Sequence, residues 1–247
     1  MGALHAGHLA LIEQAAAICN TVVVSIFVNP RQFNNPEDLK KYPRQSKTDL
    51  LLLSKTAANS VFIPSVDEVY AQNTSIPLQL APLDAVLEGE FRPGHFQGVV
   101  DVLHSLFDMV KPTDVFFGLK DLQQCMVVEK LIEAYFPKIH QHNCPTLREE
   151  SGLAMSSRNM RLSEQAKNAA ANIYKELSRL KTNQGALDAF LKESTLKLAH
   201  FGIETEYMEL VDLPNMGKAS QRDPNKRQAI VFAGYLEGVR LIDNILL

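Results

Sequence analysis

The sequence predicts an α/β fold, a parallel sheet flanked by helices, followed by a smaller α+β region. Three observations predict it. Strand-like and helix-like hydrophobic patterns alternate through the first two thirds of the chain. Thr21–Val28 (TVVVSIFV) is an unbroken β-branched run, as expected of a strand covered on both faces. After Arg161 two helical patterns are followed by three strand patterns, the order of an α+β unit.

Each element has its own signal. Leu9, Leu11, Ile12, Ala15, Ala16, Ile18 and Cys19 form one wide apolar face, so the spacing predicts a helix that stops near Asn20. The run Thr21–Val28 follows, then a polar, proline-punctuated segment over Asn29–Arg44 and a leucine-rich helix around Asp49–Ala57. Ser60–Ile63 reads as a short strand. Val99, Val100, Leu103, Leu106 and Phe107 give Phe96–Met109 a helical spacing. Val115–Phe117 is a short strand, Leu122–Tyr135 a helix and Ile139–Cys144 a further strand. Past a boundary near Asn143–Arg148, helices are expected at Glu164–Lys181, capped by Ser163, and at Ala186–His200. Strands at Glu204–Val211, Gln228–Ala233 and Gly238–Ile245 complete the chain. The expected domains are therefore 1–145 and 146–247, a division that 247 residues readily support.

Composition excludes several classes. Twenty-eight acids against 25 Lys plus Arg give a formal charge of −3, which excludes a nucleic-acid binder working by bulk electrostatics. A small basic pocket for a phosphorylated ligand remains compatible with it. The longest apolar stretches, such as Val22–Val28 and Ala229–Ala233, are strand-sized and far short of a membrane span. Cys19, Cys125 and Cys144 are odd in number and widely spaced, as in a cytosolic protein with reduced thiols. No basic-then-apolar targeting segment opens the chain.

Four polar clusters carry chemistry. His5 and His8 flank Gly7 at the start of the first helix, where exposed amides and the dipole favour an anion and Gly2 and Gly7 allow close approach. The bland alternative is that one histidine caps the helix and the other is solvated. A zinc site fits poorly, since helical zincins space their histidines by four with an intervening Glu. The segment Val28–Phe33 also lies at a strand's carboxyl end and offers amide side chains suited to a polar, neutral or carboxylate-bearing substrate. Gly118-Leu119-Lys120-Asp121, with Gln124 a turn further on, lies between a strand and a helix, where open α/β sheets bind ligands. Asp121 is alternatively a plain N-cap. Gly152–Asn159 supplies a glycine, two adjacent hydroxyls and Arg158, groups able to hold a polyphosphate, or else forms a solvated linker. The clusters fall on one expected sheet edge, which points to a site for a nucleotide and a small polar acid.

At these residues the sequence resembles the pantoate–β-alanine ligase family, a branch of the HIGH-type nucleotidyltransferases. The blocks that carry the resemblance are Met1–His8 (MGALHAGH), Ser25–Phe33 (SIFVNPRQF), Glu88–Val99, Phe116–Gln124, Leu153–Asn159, Tyr207–Asp212 and Arg240–Asn244. They span nearly the whole chain. The resemblance implies a Rossmann-like first domain and an α+β lid. It implies ATP-dependent joining of pantoate to β-alanine through a pantoyl adenylate, with AMP and pyrophosphate released.

Carried over by motif, His8, His5, Lys120 and Arg158 are the catalytic set. ATP is expected at Met1, Gly2, Ala3, Leu4, His5, Gly7, His8, Gly118, Leu119, Lys120, Asp121, Leu147, Met155, Ser156, Ser157 and Arg158. Pantoate and β-alanine are expected at Gln32 and Gln124, with Asn29, Tyr42 and Arg92 in second rank. Magnesium would come with ATP, held mainly by phosphates, with Asp49 as the protein candidate or else a helix cap. The resemblance further implies a cytoplasmic homodimer acting on small molecules, with no nucleic-acid or membrane partner.

Two departures stand out. Leu119 replaces a residue that is polar in many relatives. The chain also opens in the middle of its first motif, where relatives carry roughly one strand and one helix beforehand. A strand beside Thr21–Val28 is therefore expected to be missing, leaving backbone groups unpaired. The rival readings are a related adenylyltransferase with a phosphate-bearing acceptor and an inactive nucleotide-binding module.

Overall fold

The computed structural model describes residues 2–33, 39–40, 42–71, 75–182 and 187–247. The chain divides into two compact units. The first comprises Met1–Leu119 and Gln123–Pro145, the second Lys120–Leu122 and Thr146–Leu247. Among the described residues no helix is long and apolar enough to cross a membrane.

In the first unit, helix α1 (Ala6–Ile18) leads to strand β1 (Val23–Ser25), helix α2 (Ser46–Leu53) and strand β2 (Ser60–Phe62). Two short helices follow, α3 (Val66–Val69) and α4 (Glu88–Phe91), then the long helix α5 (His95–Val110). Strand β3 (Asp114–Gly118), helix α6 (Leu122–Tyr135) and strand β4 (His140–Cys144) complete the α/β order, although the first residue of α6 clusters with the second unit. The strands pair in parallel, Val24 opposite Val61 and Phe116 opposite His142.

The α/β class holds, and two details within it need correction. The single parallel sheet is realised as two separate two-stranded sheets, β1–β2 and β3–β4. The run Thr21–Val28 contributes only three residues to a ladder, and Val23 is 42% exposed, so it is not covered on both faces. Burial follows one side only. Val22, Val24 and Ile26 join Leu4, Ile12, Ala15 and Leu53 in a core against which Phe116 packs. Fully covering β1 requires a helical layer on each face. A second core joins Val69 of α3 to Val102 and Leu106 of α5.

In the second unit, helices α7 (Glu164–Thr182) and α8 (Leu187–His200) lie against a four-stranded antiparallel sheet. The sheet order is β6 (Gly217–Lys218), β5 (Glu204–Asp212), β7 (Gln228–Leu236), β8 (Val239–Leu246). Strand β6 is too short to leave a sequence pattern. Ser163 caps α7 as expected, its Oγ accepting from the Ala166 amide at 3.1 Å. The core is continuous from Ala170 and Leu177 through Leu198 to Leu210, Ile230 and Phe232.

Candidate active site

Helix α1 begins with a capping box built from the two histidines. His5 is the N-cap, its Nδ1 accepting from the Gly7 amide at 3.2 Å, and His8 Nδ1 accepts from the His5 amide at 3.3 Å. A backbone N–H can only donate, so both Nδ1 atoms are acceptors and each neutral ring carries its proton on Nε2. The ring centroids lie 4.0 Å apart. Both histidines take part in the cap, where the bland alternative expected only one to do so. Capping is what fixes two Nε2–H donors side by side at the positive end of a helix.

Asp49 secures the approach to this helix. Its Oδ2 accepts from the Ala3 amide at 3.0 Å and its Oδ1 from the Leu4 amide at 2.8 Å, with the side chain essentially fully buried. Ala3 lies at φ 49°, a left-handed conformation costing a residue with a β-carbon roughly 1–2 kcal/mol, and the carboxylate holds it there. Both oxygens of Asp49 are thus engaged with backbone, and Gln45, not Asp49, is the N-cap of α2. The tentative metal role and the helix-cap alternative for Asp49 have no support in this geometry. Met1 lies outside the described residues.

Past β1, Asn29 caps a 3₁₀ turn, Pro30–Gln32, and is only 3% exposed. Its Oδ1 accepts from the Arg31 amide at 3.0 Å, while its Nδ2 donates to Gly98 O at 2.9 Å and to Gln32 Oε1 at 3.2 Å. The Gln32 carbonyl accepts from Arg92 Nη2 at 3.3 Å and lies 2.9 Å from His95 Nδ1, so His95 carries its proton on that nitrogen. Arg92 also pairs with Glu88 at 3.3 Å. These contacts tie Arg92 to the backbone of the turn and to α4. Tyr42 packs edge-on against Phe33, with centroids 5.5 Å apart, beside Gln32.

Gly118 ends β3, and the sulfur of Cys125 on α6 lies 3.6 Å from its carbonyl oxygen. Gln124 is half-buried in the first turn of α6. Its neighbour Gln123 is structural, tied to the Glu88 amide and to the carbonyls of Leu83 and Val86.

The second unit carries the remaining expected residues. Lys120 is half-buried and Asp121 exposed in the 3₁₀ turn Leu119–Asp121, and the Lys120 carbonyl accepts from Asn244 Nδ2 at 3.0 Å. Residues 147–155 form a tight hairpin, with Met155 N bonded to Leu147 O at 3.0 Å, so these two candidates are neighbours. Ser156 then caps the 3₁₀ segment Ser157–Arg161, accepting from the Arg158 amide at 3.2 Å. Asn159 ties that segment back to the hairpin through Glu149 and Ala154 O. Arg148 anchors the hairpin, bidentate to Asp243 at 2.7 and 2.9 Å and stacked 3.5 Å over the ring of Tyr174.

The linker alternative for Gly152–Asn159 does not describe this segment, whose Ser157 and Asn159 are buried. Several supporting residues escaped the sequence reading, among them Tyr70, His95, Gly98, Asp101 and Asn244. His95, Gly98 and Asn244 lie inside the quoted blocks. Tyr70 and Asp101 carry no local signal.

A helix presenting paired histidine donors and amides held after a parallel strand are features expected of a nucleotide-dependent α/β enzyme, and the second unit carries a serine–arginine turn. The family profile described as pantoate-beta-alanine ligase matches residues 1–246. The chain is 45% identical to the pantothenate synthetase of Cytophaga hutchinsonii, covering 100% of this chain and 89% of that one. It is 40% identical to the pantothenate synthetase of Paracoccus denitrificans, over 99% and 87% of the two chains. The crystal structure of pantothenate synthetase from Thermus thermophilus matches with a TM-score of 0.91 at 36% identity, over 99% of this chain and 90% of that one. The Francisella tularensis enzyme, a complex with beta-gamma ATP and beta-alanine, matches with a TM-score of 0.82 at 36% identity, over 100% and 87%. This chain belongs to the pantoate–β-alanine ligase family.

Proposed function

We propose that the chain condenses pantoate with β-alanine at the expense of ATP, through a pantoyl adenylate. A pantoate carboxylate oxygen attacks the α-phosphorus as the bond to the bridging oxygen breaks and pyrophosphate leaves. The β-alanine amine then attacks the acyl carbon, the carbon–oxygen bond to phosphate breaks, and AMP leaves while the ammonium proton passes to solvent. Adenylation is needed because a carboxylate is a poor acyl electrophile. No covalent enzyme intermediate is required, so the protein positions reactants and stabilises charge.

The observation that carries this reading is the paired Nε2–H donors of His5 and His8 at the head of α1, in a chain matched along its length by the family. Donors fixed in advance suit negative charge developing on the phosphates, and His8 acts this way without serving as a proton donor. Lys120 and Arg158 would take further phosphate charge, Gly118, Leu119 and Asp121 would border the nucleotide, and Leu147 and Met155 would meet adenine. Ser156 and Ser157 would donate to the triphosphate. Gln32 and Gln124 would bind pantoate, with Asn29 and Tyr42 close to the acid substrates. The C-terminal unit is proposed as the lid over ATP.

Magnesium belongs to the reading as a companion of ATP. Among the described residues no group of three or more His, Cys, Asp or Glu side chains could hold a metal ion, so these residues offer no dedicated protein site and no step is routed through one. A cytoplasmic homodimer is proposed from the family resemblance, and sedimentation tests the assembly.

The test of function is pantoate-dependent exchange of labelled pyrophosphate into ATP, followed by β-alanine-dependent release of AMP. Exchange that ignores pantoate in folded protein refutes the reading. Stimulation by a phosphate-bearing acceptor would favour the related adenylyltransferase.

A further inference from the structure

The amides after β1 have a fixed polarity, and the fixing begins outside the expected site. Oδ1 of Asn29 faces the Arg31 amide, which can only donate, and Nδ2 faces the Gly98 carbonyl, which can only accept. These two contacts give Asn29 its orientation, and a further contact on Oδ1 holds it there. The second hydrogen of Nδ2 reaches Gln32, so the Gln32 atom it meets is Oε1. What remains to Gln32 for a ligand is its NH2 group, a donor.

Tyr70 completes this arrangement. Its hydroxyl also meets Oδ1 of Asn29, an acceptor, and must donate to it. The ring is held by α3, whose Ser65–Glu68 capping box and buried Val69 fix the helix that Tyr70 ends. The Arg31 guanidinium lies 3.8 Å over the ring, and Arg31 Nη1 reaches Asp101 Oδ2 at 3.2 Å. Asp101 is 5% exposed, and its Oδ1 accepts from Gln97 Nε2 at 2.8 Å and the Ile76 amide at 3.0 Å. Burial, opposed by Arg31 and reinforced by Asp101, pushes the Tyr70 hydroxyl up to about 12, so it stays a donor across the working range.

We propose that Tyr70 is a positioning residue that locks the Asn29 amide and, through it, turns the Gln32 NH2 toward the substrate, so that the site selects an oxygen that accepts a hydrogen bond. The proposal rests on the reading of Gln32 as a pantoate contact. Pantoate supplies such oxygens in its carboxylate and hydroxyls.

Tyr70→Phe keeps the ring and the stacked arginine and removes only the donor. It is expected to raise the pantoate KM about tenfold, with kcat and the ATP KM within twofold of the parent. A merely structural role would lower the melting temperature without splitting the two KM values. Gln32→Glu still accepts from Asn29 but opposes an acceptor with an acceptor. It is expected to weaken pantoate at least a hundredfold, and Gln32→Asn by less. An unchanged pantoate KM in Tyr70→Phe or Gln32→Glu overturns the proposal. A parent protein that shows no pantoate-dependent exchange instead overturns the functional reading, and polarity is then read without substrate. Side-chain amide exchange by NMR should find the Asn29 NH2, which bonds Gly98 O and Gln32 Oε1, exchanging more slowly in the parent than in Tyr70→Phe, where Oδ1 keeps only the Arg31 amide. Equal protection in both refutes the lock.

Discussion

Replacing Gly98 by alanine tests how tightly the substrate loop depends on α5. A β-carbon there would lie 2.5 Å from Arg31 O, 2.7 Å from Arg31 C and 3.0 Å from Gln32 N, all backbone atoms. Reaching even 3.0 Å from Arg31 O demands a shift of 0.5 Å, the difference between 3.0 and 2.5. Backbone cannot swing aside as a side chain does, so helix and loop must separate. The bond from Asn29 Nδ2 to Gly98 O, now 2.9 Å and buried, lengthens with them. Overpacking costs about 1–3 kcal/mol, and a weakened buried hydrogen bond about 1 kcal/mol more. At an exposed helix position the same change would stabilise by about 1 kcal/mol, so even the sign is diagnostic. We expect Gly98→Ala to lose about 2–4 kcal/mol in urea unfolding and to raise the pantoate KM by an order of magnitude. The ATP KM should stay within about twofold, since the loop is assigned to the acid substrate. Stability within about 0.5 kcal/mol of the parent, together with an unchanged pantoate KM, would refute the packing argument.

Other outcomes follow from the same geometry. His8→Ala should slow adenylate formation by roughly 10²–10³, the usual cost of one lost donor at a charge-stabilising site. His8→Glu can still close the capping box but offers no donor, so it should fold and be inactive; near-normal exchange in either variant removes the assigned role. Asp243→Ala strands the half-buried Arg148 guanidinium and should cost about 3–5 kcal/mol, with Asp243→Asn losing less, as read by calorimetry of the C-terminal unit. Tyr70 contributes to the alkaline side. Between the ordinary tyrosine value near 10 and about 12 the unfolded chain releases a proton that the folded chain keeps, so stability falls as pH rises through that window. Tyr70→Phe should flatten that fall and remove the step that Tyr70 contributes at 295 nm.

Much of the fold was legible because it is written in local periodicity. Leu122–Tyr135 was bounded correctly by an apolar stripe that begins just past a polar turn. The extent of β1 was not, because a β-branched run reports propensity, whereas a ladder requires a partner, and only Val23–Ser25 has one. The site shows the same divide. Residues grouped in short motifs, such as His5 with His8 and Ser156 with Arg158, could be picked out together. Tyr70 stands 41 positions from Asn29, and Asp101 stands 70 from Arg31. Such pairs arise only when the chain folds back, and neither partner needs an unusual residue type. Gly98 lies inside the Glu88–Val99 block, and the approach of Arg31 gives it a task.

The bond from Asn244 to the Lys120 carbonyl has a consequence for the order in which the enzyme matures on the ribosome. Domains generally fold as they emerge, the N-terminal part first. The first unit has most of its chain, and all of its histidine and amide contacts, long before Asn244 is made. Lys120 waits for a partner synthesised 124 residues later. A nascent chain should therefore hold the Asn29–Gln32 turn in its final form while the backbone carbonyl of Lys120 still lacks its Asn244 partner.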